Sequence, residues 1–123
     1  TPMTGIELIA AERRGQVERE GYRAIHDDGH DLGELSQAAA AYAKVASANT
    51  RGATAEEFDA YMMVAEGEWP FEEDSWKPSD DPIRNLIKAC ALIAAEIDRL
   101  RRLRGAQRGK PAPDVEPSEN DVS

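Results

Sequence analysis

The sequence predicts an all-α fold, a small four-helix bundle, and three observations point to it. Thr4-Gly5-Ile6-Glu7 and Thr54-Ala55-Glu56-Glu57 both have the capping-box form, a hydroxyl followed three residues later by a carboxylate. Behind these starts, apolar residues recur at helical spacing. Alanine, the strongest helix former, is concentrated at Ala38, Ala39, Ala40, Ala41 and Ala43.

The first helix is expected to start at Thr4 and to stop at Gly21, with Ile6, Ile9, Ala10 and Val17 as its apolar positions. Glu12, Arg13, Gln16 and Arg19 are expected to crowd the rest of its surface. Residues 22–33 are polar and rich in Gly and Asp, which reads as an ordered loop, here called the HDD loop. Asp31, followed by Glu34, is expected to cap a second helix over about residues 32–48, with Leu35, Ala39, Tyr42 and Ala46 as the buried stripe. Thr54 opens a short third helix carrying Phe58, Tyr61, Met62 and Ala65 at i, i+3, i+4 and i+7. Residues 66–79 hold both tryptophans and two prolines, so they are expected to form a rigid cover packed over a helix. Asp81-Pro82 supplies the N-cap and first position of a fourth helix, apolar on nearly all sides from Leu86 to Ile97 and therefore expected to be central. Beyond Arg104 come three prolines and, for apolar bulk, only Val115 and Val122. Such a segment cannot offset its ordering entropy, so a helical domain over 1–104 with a disordered acidic, Pro-rich tail over 105–123 is predicted.

A chain of 123 residues fits one domain. Its single cysteine, Cys90, sits in an apolar run and reads as a buried structural thiol in a reducing compartment. That run is interrupted by Lys88 and Glu96 and falls short of the roughly 20 residues of a membrane span, so no membrane partner is expected. No signal-peptide pattern precedes the first helix. With 15 Lys+Arg against 24 Asp+Glu, a formal charge of −9, direct binding of nucleic acid is disfavoured, because it needs a basic face. Nucleotides held at a local site remain compatible, and so does an acidic surface that occupies another protein's basic groove.

Three constellations could carry chemistry. His26, Asp27, Asp28, His30, Asp31 and Glu34 are dense enough to hold a divalent metal or to activate water. The alternative is a solvated loop in which Asp31 caps a helix. Lys77, Arg84 and Lys88 gather at the start of the fourth helix, where free N–H groups and the helix dipole favour phosphate. Arg84 and Lys88 are like charges at i, i+4 and need an anion between them, a phosphate or a carboxylate of the HDD loop. Lys88 and Glu96 lie within an otherwise apolar helix and should meet opposite charges such as Glu12, Arg13 or Glu34, or, for Glu96, its neighbour Arg99. Trp69 and Trp76 could stack a nucleobase or cover the core.

The segments ERRGQVEREGYRAIHDDGHDLGELSQAAAAYA and WPFEEDSWKPSDDPIRNLIKACALIAAEIDRL together resemble a family of small phage and prophage proteins. The shared pattern comprises Glu-Arg-x-x-Gln, His-Asp-Asp-x-His-x-x-Gly-Glu-Leu, Trp-Lys-Pro and Lys-Ala-x-Ala-Leu-Ile-x-Ala-Glu-Ile, over about residues 7–100. Part of it also resembles the all-α nucleotide pyrophosphohydrolases of MazG type, which hold Mg²⁺ on carboxylates of facing helices. The resemblance implies Asp28, Asp31, Glu34 and Glu96 as Mg²⁺ ligands, with Glu34, Glu96 and His30 as catalytic groups. It likewise implies Lys77, Arg84 and Lys88 for phosphate, beside Trp69 and Trp76 for the base. Glu34 with Asp31 before it, and Glu96 with Asp98 two residues on, stand where the MazG type has Glu-x-x-Glu and Glu-x-x-Asp.

Two readings of function follow. One is a phage-related nucleotide- or phosphate-binding protein acting as a Mg²⁺-dependent pyrophosphohydrolase. The other is a non-catalytic counter-defence protein, a sponge for a nucleotide signal or an acidic inhibitor of a host immune effector. Both place the chain in the cytoplasm of a bacterial host, as a homodimer or higher oligomer.

Overall fold

The computed structural model describes residues 2–20 and 32–108, apart from the side chains of 17–20 and 108. Residues 21–31, with His26, Asp27, Asp28, His30 and Asp31, lie outside the described residues, as does the tail over 109–123. What is described is all-α, with four helices, one 3₁₀ turn and no strand among those residues.

Helix α1, Gly5–Glu20, starts where its capping box predicts. The Thr4 amide donates to Glu7 Oε1 at 2.7 Å and the Glu7 amide donates to Thr4 Oγ1 at 3.2 Å. Helix α2, Glu34–Thr50, begins two residues later than expected, and its N-cap is Gly33 rather than Asp31. Gly33 takes a left-handed φ of 83°, which glycine adopts without a Cβ clash, and it offers no side-chain cap. Glu34 serves the entry instead, its Oε1 accepting from the Leu32 amide at 2.7 Å. After α2 the chain reverses through Gly52, also left-handed at φ 65°, into α3, Ala55–Glu68. The Thr54–Glu57 capping box is complete there, with bonds of 2.9 and 3.1 Å. A 3₁₀ turn, Glu73–Ser75, interrupts the cover segment. Helix α4, Pro82–Arg108, opens with the Ile83 amide donating to Asp81 Oδ1 at 3.0 Å and continues four residues past the boundary expected at Arg104.

The core lies between α2 and α4. Leu35, Ala38, Ala39 and Tyr42 pack against Ala89, Leu92 and Ala95, and the small alanines allow close approach of the two helices. Asn49 meets Asn85 while Tyr42 meets Lys88, so α2 runs antiparallel to α4. Helix α3 packs on α2, and α1 packs on α4. The expected stripe of α2 is buried in full at Leu35, Ala39, Tyr42 and Ala46. In α3 only Ala65 is fully buried, with Phe58, Tyr61 and Met62 half-buried.

Helix α4 is central as expected, but the face expected for α1 is overturned at its described positions, Val17 and Arg19 lying outside the described side chains. Helix α1 buries Glu12 and Gln16, at 7% and 5% exposure, while Ile6 and Ala10 face outward. The contact with α4 is made by the polar side of α1, centred on Glu12, Gly15 and Gln16, all three buried. Helix α4 is not enclosed on all sides. Among the described helices α1 and α2 pack along it, and one apolar face, including Leu86, Ile93 and Ile97, is left in the open. No helix among the described residues is long and apolar enough to cross a membrane.

Candidate functional site

The polar seam between α1 and the first turns of α4 gathers the chemistry. Arg84 Nη1 donates to Glu12 Oε1 at 2.7 Å across 72 residues of sequence, from a half-exposed guanidinium to a buried carboxylate. The sequence suggested an HDD-loop carboxylate for Arg84; among the described residues Glu12 of α1 takes that role, while Asp27, Asp28 and Asp31 lie outside them. One turn beyond Glu12, the buried Gln16 carbonyl oxygen has no hydrogen-bond partner among the described residues. Burying such an amide oxygen unsatisfied costs about 1–3 kcal/mol.

Tyr42 joins the other predicted binding residues. Its hydroxyl accepts from the Lys77 amide at 3.2 Å, and Lys88 Nζ lies 5.3 Å from its ring centroid. Lys88 Nζ also donates to the Lys77 carbonyl at 2.6 Å, tying the cover to α4. Trp76 and Trp69 sit on the same ring, with centroids at 4.9 and 5.4 Å, and Trp69 meets Phe71 edge-on at 5.3 Å. The Trp69 indole N–H is directed at Ser75 Oγ, 3.1 Å away. These rings are packed against the α2–α4 core, so they act as the cover that prolines and tryptophans together suggested.

Of the two described carboxylates proposed for Mg²⁺, Glu96 is buried and bidentate to Arg99, through Nε at 2.8 Å and Nη2 at 3.0 Å. This is the local pairing that was one of the two sequence readings. Glu34 stands at the first turn of α2 and is half-buried. No three His, Cys, Asp or Glu among the described residues cluster as metal ligands, and Glu96 has both oxygens engaged. The described residues therefore do not by themselves make a Mg²⁺ site. Asp28, His30 and Asp31 lie outside the described residues.

Sequence reasoning missed Gln16 as a site residue, placed Glu12 on the surface and did not see Asn85 as a junction. Asn85 is fully buried, its amide donating to Asn49 Oδ1 and the Ser79 carbonyl and its oxygen accepting from the Ser79 amide. The signal for the seam was Gly15, next to Gln16 and three residues after Glu12. Glycine inside a helix costs roughly 1 kcal/mol and marks close packing, here on the polar face.

No family model, curated protein or solved structure matches this chain.

Proposed function

We propose that the chain is a phage-related protein that binds a nucleotide, or a nucleotide-derived signal, by its phosphates where α1 meets the start of α4. The observation that carries this reading is the Arg84 guanidinium, half-exposed at the start of α4 and held at 2.7 Å by the buried Glu12 carboxylate. Glu12 holds the Arg84 guanidinium in a fixed direction, and at 42% side-chain exposure that guanidinium keeps donors available for an anion. The start of α4 adds its dipole, and Lys77 and Lys88 stand on the cover side.

Within this reading, binding without turnover is favoured by one observation. The bidentate Glu96–Arg99 pair occupies a carboxylate that Mg²⁺-dependent hydrolysis would need. A sponge for a nucleotide signal in the cytoplasm of a bacterial host requires no such carboxylate. A formal charge of −9 also supports contact with a basic host immune effector.

Thermal stability of the full chain against nucleoside triphosphates and cyclic nucleotides, with and without Mg²⁺, tests the reading. A shift without Mg²⁺, weakened in Arg84→Ala, supports binding, since a ligand stabilises the folded state by mass action. A Mg²⁺-dependent shift with a monophosphate recovered afterwards establishes hydrolysis instead. Absence of any shift overturns nucleotide binding.

A further inference from the structure

On the open face of α4, Ile83, Leu86, Cys90, Ile93, Ile97 and Leu100 follow one another at intervals of 3, 4, 3, 4 and 3 residues. That is the a/d seam of a coiled coil, which earns stability only against another helix. Nothing in the described fold covers it. Ile83 is 60% exposed, Leu86 and Ile93 are 47%, and Ile97 is 49%. At 100° per residue the stripe lies away from Asn85, Ala89, Leu92 and Glu96, which face the interior. It is independent of the nucleotide reading, because Arg84 points from α4 toward α1 instead.

We infer that this face pairs with the same face of a second copy of the chain, the two α4 helices running antiparallel. The stripe is its own complement in that arrangement. Ile83 of one copy falls opposite Leu100 of the other, Leu86 opposite Ile97, and Cys90 opposite Ile93, so every a position meets a d position of the second copy. Charge selects the same direction. The C-terminal half of α4 carries Arg99, Arg101, Arg102 and Arg104 with no acid after Asp98, while Asp80 and Asp81 stand exposed before its N-terminus. A parallel pair would set Arg101 and Arg104 beside their own duplicates. The antiparallel pair brings Arg104 to within about one turn of Asp80 and Asp81 of the second copy and opposes the two helix dipoles.

The seam from Ile83 to Leu100 is about 26 Å long and one helix wide, roughly 260 Å² on each copy. The two copies together bury about 520 Å², small beside the roughly 1,200 Å² total of a stable specific interface, so the pair should be weak and dissociate on dilution.

Sedimentation of the full chain from low micromolar to near-millimolar concentration reads this directly. A monomer–dimer equilibrium is expected, with dimerisation weakened at least tenfold in Leu86→Glu and in Ile97→Glu at unchanged helicity. Both positions are about half exposed, so the variants should fold. Direction is read by oxidation in a Cys90→Ser background. Leu86→Cys combined with Ile97→Cys should give a disulfide-linked dimer, whereas Leu86→Cys alone should not. Cross-linking by Leu86→Cys alone would overturn the antiparallel pairing. A monomer at every concentration would overturn self-association, and so would a monomer that instead sediments with phosphatidylcholine/phosphatidylglycerol vesicles through the same face.

Discussion

The Asn85 amide donates to Asn49 Oδ1 at 2.9 Å, and with Val45 it is the largest fully buried side chain among the described residues. With its bonds to both the N–H and the carbonyl of Ser79, this side chain joins α2, α4 and the end of the cover. Asn85→Ala removes the partner of the half-buried Ser79 and Asn49 groups and leaves a small cavity, and is expected to lower stability by about 1–3 kcal/mol. Urea unfolding checks this, and a loss under 1 kcal/mol would mean the junction is solvated.

Gln16 should show the opposite sign. Its buried oxygen is unmatched among the described residues, so Gln16→Leu, of similar volume and apolar, is expected to raise stability by about 1 kcal/mol. Thermal melts of the variant beside the parent chain measure the change. A destabilised Gln16→Leu would show that the amide is satisfied in solution.

Glu96 and Arg99 are both buried, so removing one leaves the other as an uncompensated charge. Arg99→Ala is expected to cost about 3–5 kcal/mol, and the double replacement by Leu much less than the sum of the singles. A double-mutant cycle in denaturant measures the coupling. Additive losses would show that the pair is not intact in solution.

The α3 cap gives a pH dependence of known sign. Hydrogen bonds from the Thr54 backbone and side chain hold the Glu57 carboxyl below its ordinary value, with a smaller contribution from the Arg51 charge. A carboxyl whose folded value is lowered contributes stability that is present above its unfolded value and is lost as pH falls through the folded one. Helicity of α3 should therefore weaken on acidification below the ordinary glutamate range. Thr54→Ala should flatten that part of the pH–stability curve, and an unchanged curve would sink the assignment.

Much of the fold was legible because it is specified locally. The two capping boxes and Asp81-Pro82 set helix starts through neighbours within three residues, and the starts of α1, α3 and α4 stand where they predict. In α2 the apolar stripe and the buried stripe coincide, so periodicity sufficed. It failed for α1, whose burial is decided by Arg84 and the other residues of α4 that it meets. A rule that equates buried with apolar cannot see a helix docked by Glu12 and Gln16. Gly33 displaced the expected cap of α2 for a related reason, since backbone geometry rather than a side-chain acceptor starts that helix. The site was legible in its cations and tryptophans but not in its pairings, because the contact that orients Arg84 spans 72 residues.

Both tryptophans lie on one ring, Tyr42, with their mutual centroids 5.0 Å apart. The intrinsic emission of this protein therefore reports a single event, the undocking of the cover from α2. Helix α1, which rests on α4 through a polar seam, can leave without disturbing that signal. Fluorescence and circular dichroism thus watch different cooperative units, and the interval between their two transitions measures how firmly α1 is held.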